Sequence, residues 1–444
     1  MKTLINQARA LSPAAWSVIP RALWPVAAGL AVAVLMHAVV GPNVPGFTAK
    51  MMLVAGINII LAVSLTVVNG FTGQFSMGHA GFMAVGGYVA ASITYYGSIK
   101  FFGSADFAGG ALSWTGSGPH GGGPLGKGDL LFMGSCLVGG LAAAGAGYIV
   151  GLPSLRLRGD YLAIVTLGFG EIVRVLLQGT PDQVQPWRAA EAAETPWYSL
   201  MLKLGGPKGF NLLPTYTTLF WVYLFVTITL IVCYRLKNSS TGRAFLSIRE
   251  DEIASQAMGV DVTRYKVRAF VIASFFAGTA GGLYAMDIGA ISASDLGFLK
   301  SFECIIMVVL GGMGSISGAT LAAIILTALP EILRELPPVW PAGLALLAVM
   351  AVVQGAHRRW HPRSLVVVAA VTLVAELGRR YCASQGINLA EYRMILYALL
   401  LIVMMISRPQ GLLGVREVWE IFGRRARRPG AVASPPGASS GVSP

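Results

Sequence analysis

Apolar runs long enough to cross a bilayer recur from one end of the chain to the other, and polar residues gather in the stretches between them. They occupy 22–40, 50–68, 130–152, 155–177, 217–233, 270–286, 302–310, 320–333 and 392–406, with a Gly-rich, interrupted stretch at 69–92. The pattern predicts an all-α, polytopic transmembrane helical bundle of about ten spans, because a helix satisfies its whole backbone within one apolar segment. Two further apolar runs, 339–353 and 364–377, flank the basic cluster His357 to Arg363 and predict an inserted two-helix hairpin over 337–390. Both runs are near the short limit for a span, so interfacial helices are the other reading; their lack of a polar face favours insertion.

Basic residues orient the bundle. With the N-terminus inside and strict alternation, the clusters at Arg156, Arg158 and Arg243 and the Arg-rich C-terminus all fall inside. The basic-poor loops 101–129 and 179–215 fall outside, and both termini are cytoplasmic. Residues 235–268 form a long cytoplasmic loop, and 415–444 a basic tail that ends in a disordered Pro/Ser/Gly run.

Within the cytoplasmic loop, Arg249 to Gly259 predicts one short helix. Glu250, Asp251 and Glu252 stand in its first turn, Ile253, Ala254, Ala257 and Met258 supply apolar or small positions, and Gly259 is a stop signal. So short an amphipathic helix needs a partner for its apolar stripe, either a groove on another protein or the lipid surface and its own bundle.

The Gly-rich stretch carries Gly70, Gly73, Gly78, Gly81, Gly86 and Gly87, too many for an ordinary helix. Either helices pack closely there, or the backbone breaks and lines a path. On the second reading Gly70, Gln74, Ser76, Gly78 and His79 are the translocation-path candidates; on the first, His79 is a satisfied buried histidine. Glu171 and Arg174 stand three apart on one helix face and predict an intramembrane charge pair, with a structural role favoured.

Composition agrees with a membrane protein: 55% of the 444 residues are hydrophobic and 12% charged, about half the usual charged share. The net charge of +13 sits beside the spans and predicts no nucleic-acid partner. Met1 to Arg21 followed by an apolar run resembles a signal peptide, but a second span follows at once, which predicts an uncleaved first helix. The four cysteines have no paired spacing, so neither a disulfide framework nor a metal site is predicted. Gly121 to Lys127 has the Gly and Lys spacing of a phosphate-binding loop, but Gly128 stands where Ser or Thr must hold magnesium. No nucleotide site, cofactor or catalytic constellation is expected, and the chain is not read as an enzyme.

GFTGQFSMGHAGFMAVGGYVAA, LRLRGDYLAIVTLGFGEIVRVLL, the loop from Gly242 into the span after it, GGMGSISG, and EYRMILYALLLIVMMISRPQGLLG closely resemble the LivM-type permeases of bacterial ABC transporters for branched-chain amino acids. The resemblance covers most of 50–336 and 391–414, in the same order. It implies one transmembrane permease domain over 1–414 in the bacterial inner membrane, working with a homologous second permease, two cytoplasmic ATPase subunits and a periplasmic solute-binding protein. It also implies that the helix from Arg249 to Gly259 couples to an ATPase groove. The importer motif E-A-A, three residues, G is met here by Ile253, Ala254, Ser255 and Gly259, with Glu252 one step early. That places the helix without carrying over the motif's individual residues. The 50-odd residues between Glu335 and Glu391 exceed the family's short connection. Permeases for urea or short amides look similar; an ion-coupled secondary transporter is the rival from another class, with Glu303 and Glu171 as its scant support.

Overall fold

The computed structural model describes residues 24–104, 126–154 and 160–334 and the single positions 395, 399, 402, 414 and 417. The N-terminal leader, Arg156 and Arg158, most of the loop 101–129, the hairpin 337–390, nearly all of the final span and most of the tail lie outside the described residues.

The described helices run in chain order as α1 (Trp24–Asn43), α2 (Gly46–Phe71), α3 (His79–Phe102), α4 (Lys127–Ser154), α5 (Asp160–Gln178), α6 (Leu219–Asn238), α7 (Ser240–Glu250), α8 (Glu252–Ala257), α9 (Val262–Ile288), α10 (Phe298–Gly311) and α11 (Ile316–Arg334). Six of them, α1, α2, α4, α5, α6 and α9, are long and apolar enough to cross a membrane; α3, α10 and α11 pack among them. The only β pairing among the described residues is an isolated bridge between Phe210 and Ile291. The architecture is an all-α bundle.

The apolar windows of α2 and α9 are 78% buried within the chain whereas that of α1 is 17%, so α2 and α9 are the axis of the fold and α1 lies outside it. Lipid tails are as apolar as leucine, so helices associate in a bilayer chiefly by close van der Waals fit, which small residues permit. The contact of α9 with α3 and α4 is built that way. A Cβ at Gly86 would lie 2.2 Å from the Gly278 Cα, and one at Gly281 would lie 2.0 Å from the Met83 carbonyl oxygen. A Cβ at Gly139 would lie 2.4 Å from the Gly86 oxygen. The obstructions are backbone, which has no rotamer to yield. A Cβ at Gly278 would lie 2.5 Å from the Ala143 Cβ and 2.9 Å from the Gly139 oxygen, neither of which a rotamer can move, so Gly278→Leu should force helices apart at a cost of about 1–3 kcal/mol or more. The expected result is a sharp fall in folded, monodisperse protein extracted from membranes; wild-type yield would show that the seam tolerates bulk.

The segment 179–218 is an ordered cap rather than a plain loop, with short helices at Ala189–Glu194 and Trp197–Leu200. The Tyr95 and Tyr96 hydroxyls at the end of α3 donate to the Val184 and Lys203 carbonyls at 2.8 and 2.7 Å, and both rings meet Phe210 edge-on. A buried tyrosine with its hydroxyl satisfied can fix an apolar contact and a loop at once.

Candidate coupling and translocation site

At the end of the bundle that carries residues 239–261, α6 gives way to α7. The Ser239 hydroxyl oxygen accepts from the Gly242 N–H at 3.1 Å and starts the helix. Phe245 and Ile248 turn inward and are buried, with the Phe245 ring edge-on to Tyr265 of α9. The single helix expected over Arg249 to Gly259 is in fact two, because Asp251 is extended (φ −156°, ψ 114°). Its carboxylate accepts from the N–H groups of Ile253 and Ala254 at 2.8 and 3.0 Å, so Asp251 is a cap and not a first-turn charge. Arg249 and Glu250 consequently belong to α7, where they form an ion pair at 2.9 Å. Gly259 (φ +85°) ends the segment in a left-handed turn, and Glu252 pairs with Lys266 of α9 at 3.0 Å.

This division points side chains in opposite directions. Ile253 and Met258 are 68% and 84% exposed, with Ala254 and Ala257 exposed beside them. Arg249 instead reaches into the bundle. Its guanidinium donates to the Gly70 carbonyl at 3.0 Å, and its stem lies where a Cβ on Gly73 would meet it at 2.8 Å. Gly314, in the turn between α10 and α11, faces the same guanidinium at 2.9 Å from a would-be Cβ, with φ +100°. Arg249 is thus wedged between two backbone breaks.

The first break is the one the glycine pattern predicts. Helix α2 ends in a π turn over Thr66–Phe71, residues 72–78 are not helical, and α3 starts at His79. Gly81, Gly86 and Gly87 lie within the regular helix α3, so close packing accounts for that part of the stretch and a break in the backbone for residues 72–78. Non-helical backbone at membrane depth must find partners within the protein, and it does. The Gln74 N–H donates to the Val68 oxygen (3.3 Å), Ser76 to the Asn69 side chain (3.2 Å), Met77 to the Thr166 hydroxyl (3.0 Å) and Ala80 to the Ser301 hydroxyl (3.0 Å). Gly70, Gln74, Ser76, Gly78 and His79 are all buried. His79 Nε2 lies 2.9 Å from the Ser64 hydroxyl, the satisfied arrangement of a packed histidine. A Cβ on Gly78 would lie 2.2 Å from the Thr166 oxygen. Among the described residues, only the Gln74 side chain of these five keeps both polar atoms buried and unpartnered.

Glu171 and Arg174 do meet, at 2.7 Å, with about a third of each side chain exposed. They stand at the end of α5 away from the coupling loop and border a charged cavity of about 570 Å³. The sequence pattern pointed to Glu303 alone and to neither of two ion pairs that the fold forms. One is Lys300 with Glu303, an ion pair at 3.1 Å in the first turns of α10, bordering that same cavity. The other is Glu417, buried at the base of the tail, which takes the N–H groups of Ile316 and Ser317 at 3.1 and 3.0 Å and pairs with Lys237. Burial pushes the Glu417 carboxyl up, but Lys237 and the Ser317 and Ile316 donors outweigh it and hold it below the ordinary glutamate value. Glu417 is therefore docked on the bundle.

The family described as the branched-chain amino acid transport system permease component matches residues 47–353, which include the breaks, the coupling segment and α10. The chain belongs to that family. The permease is 33% identical over 338 residues to the high-affinity branched-chain amino acid transport system permease protein LivM of Salmonella typhimurium, covering 73% of this chain and 71% of that protein. It is 34% identical over 351 residues to LivM of Escherichia coli, covering 76% and 74%. The autoinducer 2 import system permease protein LsrC of Yersinia enterocolitica is 27% identical over 228 residues, 49% of this chain and 59% of that protein. No solved structure matches. A permease of this family is a multi-pass inner-membrane component of an ABC transport system, working with ATPase and binding-protein components, and is not an enzyme.

Proposed function

We propose that this permease forms part of the translocation path for branched-chain amino acids in an ABC importer, driven by ATP hydrolysis in separate subunits. The observation that carries this reading is one-third identity to LivM permeases over more than two thirds of both chains. The complete importer holds this chain, a homologous second permease, two cytoplasmic ATPase subunits and a periplasmic solute-binding protein. Both termini and the loop 235–268 are cytoplasmic. The exposed apolar face formed by Ile253 of α8 and Met258 just past its end seats in an ATPase groove, as its apolar character at a polar end of the bundle supports. Glu250, Asp251 and Glu252 shape that segment, and Arg249 carries its movement to the break at Gly70. The break residues, Gln74 foremost, border the path at the inner end.

The test is uptake by the reconstituted importer, with its own binding protein, of leucine, isoleucine and valine against urea and acetamide. Saturable uptake of the branched-chain amino acids alone is expected; uptake of urea in their place would assign the permease to the neighbouring solute class.

The permease domain over 1–414 includes 337–390 as a membrane-inserted hairpin, which puts Arg358, Arg359 and Arg363 in the cytoplasm. A cysteine at Ser364, in a background free of native cysteines, should stay unlabelled when intact cells meet a membrane-impermeant thiol reagent. Labelling there would place the segment on the outer face.

A further inference from the structure

We propose that Lys300, Glu303 and Asn58 form a binding site for the α-amino-acid zwitterion, with the solute's aliphatic side chain held in the cavity beside them. This deepens the proposed function and rests on it. The site lies well below the end of the bundle opposite the coupling loop. That end is marked by Lys50, whose ammonium meets the Asp287 carboxylate at 2.8 Å where α9 finishes. Asn58 stands eight residues further along α2, about 12 Å deeper at 1.5 Å per residue. The Lys300 ammonium reaches the Asn58 side-chain oxygen at 3.2 Å and the Glu303 carboxylate at 3.1 Å, while the Asn58 amide donates to the Thr327 hydroxyl at 2.9 Å. Three helices, α2, α10 and α11, thus converge on one cation and one anion at membrane depth.

Helix stability does not account for this pair. Lys300 stands in the first turn of α10, where the helix dipole disfavours a cation. Ionised groups inside a membrane are costly, and those that border a cavity are candidates for a solute path. The pair is also the boundary between two cavities of different character. On one side is the charged cavity bordered by Glu171, Arg174 and Asp295. On the other is a chamber of about 180 Å³ with Val54, Ile306, Met307 and Leu326 on its wall and Asn58 and Thr327 among its polar groups. That volume is below the usual range for drug-sized ligands, so the chamber suits a small solute. The chemistry is complementary to an amino acid: the Lys300 ammonium for the α-carboxylate, the Glu303 carboxylate for the α-ammonium, and an aliphatic wall for the side chain. Entering from the charged cavity, the solute exchanges the Lys300–Glu303 pairing for its own two charges, so neither ion is left bare.

The test uses the complete importer in proteoliposomes, with radiolabelled L-leucine as the probe. Lys300→Met and Glu303→Gln should each lower leucine uptake by roughly ten- to a hundredfold, the loss of one hydrogen bond to a charged group. The double variant Lys300→Met/Glu303→Gln separates a site from a structural pair. Removing both charges together relieves any folding defect caused by leaving one unpaired. The double variant should therefore assemble and retain ATPase activity stimulated by the binding protein, while leucine uptake stays low. Recovery of wild-type uptake in the double variant, or undiminished uptake in both single variants, would overturn the proposal. If the wild-type importer carries no α-amino acid, the proposed function fails and takes this site with it; if it carries leucine and the variants do too, only the site fails.

Discussion

Ile253→Asp and Met258→Asp should each detach the ATPase subunits from an otherwise normal permease. Both side chains are more than two-thirds exposed in the chain alone, so an aspartate there leaves the fold undisturbed. In the assembled importer the same carboxylate would be buried in an apolar groove without a counter-ion. One unpaired buried charge costs several kcal/mol, and each 1.4 kcal/mol is a factor of ten in affinity, so docking should weaken more than a hundredfold. Membrane insertion and amount should match the wild type, while ATPase subunits no longer co-purify and transport is lost. Full co-purification with both changes present would show that α8 is not the docking segment.

Arg249→Ala and Gly314→Val should give the opposite dissociation: ATPase subunits bound, transport lost. Arg249 joins the coupling segment to both backbone breaks through one guanidinium, bonded to the Gly70 oxygen at 3.0 Å and packed on Gly73 and Gly314. On the proposed coupling role, a movement of α7 and α8 would reach residues 70–78 and 311–315 through this side chain. Without it, the Gly70 carbonyl loses a charge-assisted hydrogen bond worth about 1.5–3 kcal/mol, and the wedge becomes a void. A valine at 314 would need φ +100°, a conformation unsuited to a β-branched residue, and would strike the guanidinium at 2.9 Å. We expect leucine uptake at least about tenfold lower for Arg249→Ala, in line with the lost bond, with normal ATPase subunit recovery. Arg249→Lys keeps the charge but not the planar fork and should fall between the two. Wild-type uptake by Arg249→Ala would remove the wedge from the mechanism.

The bundle was legible because an apolar run of membrane length has few other uses, and because the glycines at 70, 73 and 78 could not all sit in a regular helix. What the pattern could not tell apart was a glycine that breaks a helix from one that seats against another, since the residue is the same; Gly86 and Gly87 needed the position of α9 to be read. Asp251 misled for a related reason. In a run Arg-Glu-Asp-Glu, an acidic residue in a first turn and an acidic cap look alike, and only the backbone angles at 251 separate them. The Glu171–Arg174 pair was readable because both partners share one helix face. Lys300 pairs with Glu303 at the same spacing, but its tie to Asn58, 242 positions away, has no local signal in the sequence. The inward turn of Arg249 was hidden the same way, since its acceptor is a backbone oxygen 179 positions earlier.

This permease carries solute by virtue of ATP hydrolysed in other subunits. Proteoliposomes holding the complete importer, with leucine and the binding protein on one side and ATP on the other, test it most directly. Leucine should accumulate only when ATP is present, continue when ionophores collapse every ion gradient, and stop with Met258→Asp. Accumulation that persists without ATP and vanishes with the ionophores would contradict the account and make the permease a gradient-driven transporter.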